Sequence, residues 1–537
     1  METTFRIGRK DVHVKENLID KVVSALDPIR GQRRFQARAS MAIAGGYSGG
    51  KRNRRPTKGW NVTSNDADSD LMPDLAMMRE RSRDLTRNTP IAAGAVNTAV
   101  TNVVGAGLTV NSMIDRDFLG LTDEQAEAWE SAAEREFDLW AKKPEYCCAA
   151  STLTFYGHQE MAFRSTLENG DIFYLLPVIR RKNSPYGVKL KAIEADRVSN
   201  KGRVADTAKL AGGVELDKNG APVNYHMQKQ HPGRLGAINN EWDIIPAFGK
   251  NSGRRNVLHL FEQRRPGQRR GAPFLAPVIE ALKQLGRYTD AELMAAVVSG
   301  MFTVFITSEG DDPLQNEDGT TVGTDNELEL GNGKIIGLHT GESVESTNPG
   351  RPNTAFDPFV IAILRQIGAA LEIPYELLIK HFTASYSASR AAIMEAWKMF
   401  KKRRIWLADY FCDPVYEAVI TEAVIDGRLN APGFLEDPRI RAAYLRAEWI
   451  GPGKGQIQEK QEVEAAQLRC NGGFSTIAKE TAEMNGGNWQ RNHRQSVKEH
   501  TARKEAGLLE SNKPAAALPA SKEDTPDEKD KKELAED

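Results

Sequence analysis

The chain has 537 residues, 40% apolar and 27% charged, the composition of a globular protein large enough for three or four structural units. Its 72 basic and 73 acidic side chains nearly cancel, which excludes a protein that coats nucleic acid over its whole surface and leaves only a local basic face open. No apolar run is long enough to span a bilayer, the first residues lack the apolar core of a signal peptide, and Cys147, Cys148, Cys412 and Cys470 have neither disulfide nor zinc spacing.

Residues 1–58 read as a basic, flexible arm, rich in glycine and arginine from 29 onward (RGQRRFQARAS, AGGYSGGKRNRRP). It contacts phosphate, packs on a neighbouring subunit, or is simply solvated. A helical region spans Asp84–Val104, with Pro90 suited to a first turn. Thr122 reads as the N-cap of the next helix and Gln125 as its capping-box partner, followed by core positions Trp129, Ala133, Phe137 and Trp140. Another helix, from about Tyr156, stops at Gly170. From Asp171 to about Leu260 the period changes to short β-rich runs, with a hairpin turn at Asp217–Gly220.

A long helix follows at about Pro277–Gly300, striped by Val278, Leu282, Leu285, Leu293 and Val297. A second, Asp357–Leu371, carries Val360, Ile363, Leu364, Ile367 and Leu371. Between them lie strand-like MFTVFIT and KIIGLHTG around a polar excursion. Ile373-Pro374 ends the second helix. The segment KHFTASYSASR then leads into a helix at about Ala388–Tyr410, with Ile393, Trp397, Phe400, Leu407 and Phe411 as its buried stripe. Lys398, Lys401, Lys402, Arg403 and Arg404 form a basic patch on that helix. Helices continue to about residue 505, and 506–537 is charged, low in complexity and expected to be disordered. The fold class is α+β, mainly helical.

No motif carries chemistry, and no catalytic residue, metal site or cofactor is expected. Gly46-Tyr-Ser48-Gly-Gly50 fits the nucleophile-elbow pattern but lacks the strand before it and the helix after it. There is no P-loop and no H-E-x-x-H, and the nine histidines are scattered singly.

Several stretches, taken in order, resemble the lambda family of phage portal proteins. They are RDLTRNTP (83–90), TNVVGAGL (101–108), GVELDKNGAPVNYHM with His231-Pro-Gly233, NVLHLFEQRRPGQRRGAPFLAPVIEAL, YTDAELMAA (288–296), IGAALEIPYELL and YSASRAAIMEAW. The resemblance implies a homo-oligomeric ring, of twelve subunits in assembled family members, around a channel for double-stranded DNA. It maps a wing at 59–272, a stem helix at 273–299, a clip at 300–355, a second stem helix at 356–379, a tunnel loop at 380–390, its flanking helix at 391–412 and a helical crown at 413–505. Partners implied are the terminase large subunit, head-completion and adaptor proteins, and the major capsid and scaffolding proteins, with no membrane. The place implied is the portal vertex of the virion, reached from the host cytoplasm, with nucleation of capsid assembly as a further role.

Sliding DNA requires exchangeable phosphate contacts without base readout. On this mapping Lys380, His381, Thr383, Ser385, Ser387, Ser389 and Arg390 are the channel candidates. The patch from Lys398 to Arg404 faces the channel or forms intersubunit ion pairs. The rival readings are another oligomeric virion protein, a nucleic-acid-binding protein without a channel, and a hydrolase or nuclease.

Overall fold

The computed structural model describes residues 2–7, 10–15, 22–23, 25–34, 55–57, 59–234, 241–300, 304–308, 342–346, 353–382, 385–455 and 458–508. Residues 1–66 and 67–537 form two separate units. In the first, β1 (Glu2–Ile7) and β2 (Lys10–Lys15) pair antiparallel with Glu2 opposite Lys15, and residues 28–34 are helical. The arm reading contained no such elements. Their signal is the alternation of Phe5 and Ile7, and of Val12 and Val14, with polar neighbours.

The second unit opens with α1 (Ala67–Asn88) and α2 (Pro90–Val103). These are two helices, not one region, because Pro90 forces Thr89 into an extended conformation (φ −118°, ψ 114°). The small side chains of Ala92, Ala95, Val96 and Ala99 are fully buried, so α2 runs through the middle of the main core. Beyond β3 (Thr109–Ser112), α3 (Asp123–Ala141) starts with the expected capping box. Thr122 Oγ1 accepts from Gln125 N at 3.3 Å, and Gln125 Oε1 accepts from Thr122 N at 3.0 Å. Ala133, Phe137 and Trp140 are buried; Trp129 is only partly so, its indole donating to the carbonyl of Asn430 at 3.0 Å. Helix α4 (Phe155–Asn169) stops at Gly170, whose φ of +88° and close approach to Gly271 leave no room for a Cβ.

The β-rich part contains two antiparallel sheets. One is β10-β4-β5, from β4 (Asp171–Leu175), β5 (Lys191–Ile193) and β10 (Val257–Phe261). The other is β6-β7-β8-β9, from β6 (Leu210–Ala211), β7 (Val214–Leu216), β8 (Pro222–Gln228) and β9 (Trp242–Pro246). The turn between β7 and β8 is set by Asp217, whose Oδ1 accepts from the backbone of Asn219 and Ala221, both at 2.8 Å. Phe173, Ile193, Val214, Tyr225 and Met227 form a second, smaller core here.

After a 3₁₀ turn at Ala276–Val278, α5 (Ile279–Gly300) buries Leu282 and Leu285 in its first half. In its second half Leu293, Met294 and Val297 are 67%, 63% and 49% exposed. Helix α6 (Phe356–Ala370) lies beside it, with the Tyr288 ring 5.5 Å from Phe356 and 5.1 Å from Phe359. Of the intervening segment, β11 (Val304–Ser308) and β12 (Glu342–Ser346) pair antiparallel; the rest lies outside the described residues.

The expected second stem helix, 356–379, is two: Pro374 separates α6 from α7 (Tyr375–Ile379). Helix α8 (Tyr386–Leu407) passes through a π turn, Ala408–Cys412, into α9 (Asp413–Ile425), next to Pro414, which has no N–H to return to the preceding turn. The region expected to be a helical crown also holds a strand, β13 (Ala447–Ile450), paired antiparallel with β3. The alternation of Ala447, Trp449 and their polar neighbours favours it. Three helices close the described chain: α10 (Glu459–Asn471), α11 (Ile477–Asn485) and α12 (Trp489–Glu505). Of the charged segment at 506–537, residues 509–537 lie outside the described residues.

Candidate channel segment

The segment between α7 and α8 is short. Helix α7 ends at Lys380, a non-glycine residue in the left-handed region (φ +56°), and both Lys380 N and His381 N return to the carbonyl of Glu376. Lys380, His381 and Phe382 are exposed, while Thr383 lies outside the described residues. Ser385 is the N-cap of α8, its hydroxyl accepting from Ala388 N at 3.4 Å. Ser387, Ser389 and Arg390 therefore stand on the first turn of a helix, not in a loop. Ser387 is exposed, and the Arg390 guanidinium lies 3.9 Å from Glu462 on α10.

The basic patch divides. Lys398 is exposed and pairs with Glu395 at 2.6 Å, Lys401 pairs with Glu483 at 3.1 Å, and Lys402 is exposed. Arg404 is committed to its own subunit: it donates to the carbonyls of Val103, Asn102 and Pro452 at 3.1, 2.8 and 2.9 Å and lies over the Trp397 ring. Burial pulls its pKa down to about 10. Arg403 sits over the Phe274 ring at 4.8 Å. The spacing could have shown this, since Arg403 and Arg404 fall three and four residues after Phe400 and before Leu407, within the buried stripe. A groove of about 630 Å³ runs beside Lys398 and Lys402, floored by Gly368, Ile373, Tyr375 and Met399. At its edge Glu372 holds a left-handed backbone (φ +57°) just before Ile373-Pro374.

A buried ion cluster that sequence reasoning missed joins α1, β4 and the segment before α5. Asp171, at the start of β4, accepts from Arg79 of α1 at 2.7 Å and from Arg270 Nε at 2.5 Å, with His259 Nε2 3.3 Å away. Burial alone would raise the Asp171 pKa; Arg270 and Arg79 outweigh it and hold the carboxyl well below the usual range. Nearby, Arg265 pairs with Asp70 at 2.6 Å and Arg269 with Asp68 at 3.1 Å. The run RRPGQRR thus clamps the chain between β10 and α5 onto α1. Its only signal in the sequence is charge density, which does not separate a clamp from a phosphate contact.

Among the described residues, one group has metal-ligating side chains in reach of one another: Glu194, Asp196 and His231. His231 Nε2 lies 3.5 Å from each carboxylate. Its Nδ1 accepts from Gly233 N at 3.0 Å, which places the neutral ring's proton on Nε2, facing the carboxylates. Arg83 already bridges Glu194 and Asp196. This is a surface ion cluster in which the imidazole Nε2 faces the two carboxylates.

Residues 53–404 match the family model described as phage portal protein, lambda family. The chain is 27% identical over 505 residues to the portal protein of Escherichia phage N15, covering 89% of this chain and 93% of that one. It is 26% identical over 494 residues to portal protein B of Escherichia phage lambda, with coverages of 87% and 91%. Among solved structures it is similar to a chain in the neck of an empty gene transfer agent particle (TM-score 0.42, 14% identity, 76% of this chain and 92% of that one). A chain in the virion of the native particle gives a TM-score of 0.39 at 14% identity, covering 69% and 93%. The fold is mainly helical α+β. The chain belongs to the lambda family of phage portal proteins.

Proposed function

We propose that the chain assembles as a closed ring, of twelve copies, at one vertex of the virion, and that DNA enters and leaves through its axis. The apolar surface left open on the stem carries this reading. Leu293, Met294 and Val297 on α5 and Phe359 on α6 stay exposed in the isolated subunit, a patch that a neighbouring copy would cover. On this reading the wing is 59–272, the stem is α5 with α6, β11 and β12 belong to the clip that meets the terminase and the head-completion proteins, and the crown follows α8. Contacts to capsid and scaffolding proteins, and nucleation of the capsid from the host cytoplasm, belong to the same reading.

The DNA contacts fall to Lys380, His381, Ser387 and Lys398, side chains on the surface of α8 and the turn before it. Arg403 and Arg404 leave the list of candidates because they serve the interior. Lys380→Gln with Lys398→Gln should leave ring assembly intact and lower the DNA packaged per particle in an in vitro packaging assay. Packaging at the unaltered level would remove both residues from the channel.

A further inference from the structure

Helices α10 and α11 form a hairpin that owes little to the apolar interior. Of their side chains only Ala466 and Glu480 are buried, and none joins the main core. Within the hairpin the link is firm. Arg469 of α10 donates twice to Glu480 of α11, at 2.9 and 2.5 Å, and Glu480 is 7% exposed. The links to α8 are single and open to water: Glu462 stands 3.9 Å from Arg390, and Glu483 lies 3.1 Å from Lys401. A cleft of about 280 Å³ separates the hairpin from the start of α8, edged by Arg390, Lys454, Glu462, Arg469, Glu480 and Glu483. The joint is thus a charged, solvated cleft and not a packed interface, and its ion pairs weaken as salt screens them. The base of the hairpin is fixed instead by backbone. A Cβ on Gly453 would lie 2.5 Å from the Met484 carbonyl, and Lys454 N donates to the Glu483 carbonyl at 3.4 Å. Gly455, just beyond, holds φ +75° with open space around it, a natural pivot.

We propose that the α10–α11 hairpin is a clasp on α8: Glu462 and Glu483 engage Arg390 and Lys401 until duplex DNA draws those cations to its phosphates, and the hairpin then swings away about its base. This rests on the reading that α8 faces the DNA. At each cation one carboxylate is exchanged for one phosphate, and the released carboxylates are repelled by the polyanion that displaced them. The clasp therefore adds two cations to the channel while a duplex is present and withdraws them when it has passed. The firm Arg469–Glu480 link keeps the two helices together as they move.

The test is hydrogen–deuterium exchange of the full chain at about 0.1 M salt, with and without a short DNA duplex, the assembly state being recorded on the same samples. The duplex should speed exchange in α10 and α11 about fivefold, the order that two exposed ion pairs hold back. It should slow exchange at the start of α8 and leave α2 and α4 unchanged. Glu462→Gln with Glu483→Gln should exchange at the faster rate without the duplex. Glu499→Gln, which removes a carboxylate bonded to Gln495 within α12, should not. Equal rates in the double variant and the unaltered chain would overturn the clasp, since other contacts would then hold the hairpin. A duplex that slows exchange at α8 and leaves α10 and α11 as they were would overturn the clasp and leave the channel reading standing. A duplex that changes exchange nowhere would sink both.

Discussion

His158 is a polar residue in an apolar position. It is 2% exposed, neither ring nitrogen has a hydrogen-bond partner, and its ring meets that of Tyr174 edge-on at 5.6 Å. Burial pulls its pKa from 6.5 to about 4. A group whose folded pKa is depressed binds its proton more readily in the unfolded chain, so the stability it permits is complete above about pH 6.5 and is lost as pH falls towards 4. That shift corresponds to about 3 kcal/mol as an upper limit. His158→Leu should therefore flatten the acid side of the melting-temperature profile while changing little at neutral pH. An unchanged acid slope would mean that another group sets the acid limit. Arg404 shows the opposite economy: three carbonyl acceptors hold its charge within the fold, tying α8 to the end of α2 and to Pro452.

At the scale of elements, the strongest sequence signals matched the structure where local chemistry decides the outcome. The Thr122–Gln125 capping box, the stop at Gly170 and the Asp217 turn each depend on residues within a few positions of one another. Proline boundaries were legible too: Ile373-Pro374 ends the helix read as Asp357–Leu371, found at Phe356–Ala370, and Pro90 stands in a first turn as read, although it begins a second helix after Asn88. The pairing of β3 with β13 joins residues more than three hundred positions apart and has no local signature. For the same reason the basic patch was only half legible, since charge alone does not tell Lys398, at the surface, from Arg404, against interior carbonyls. The stripe on α5 was legible in full, but its two halves have different fates: Leu282 and Leu285 are buried in the subunit, while Leu293 and Val297 are not. Leu293→Glu with Val297→Glu should therefore leave the subunit's circular dichroism and melting temperature nearly unchanged, because neither side chain is covered in it. The same variant should shift the mass distribution from ring to monomer; full-sized rings from it would show that this half of α5 is not an interface.

For the whole molecule, a chain with near-zero net charge uses some of its cations as internal clamps: Arg79, Arg270 and Arg404 hold elements together. That distribution suits a channel subunit, which must let a polyanion slide without trapping it. It does not suit a protein that binds DNA tightly as a monomer. The most direct measurement is electron microscopy of the purified full chain, with class averages viewed down the symmetry axis. The account predicts closed rings with an open axis wide enough for a DNA duplex. Monomers or compact dimers under every assembly condition would contradict it.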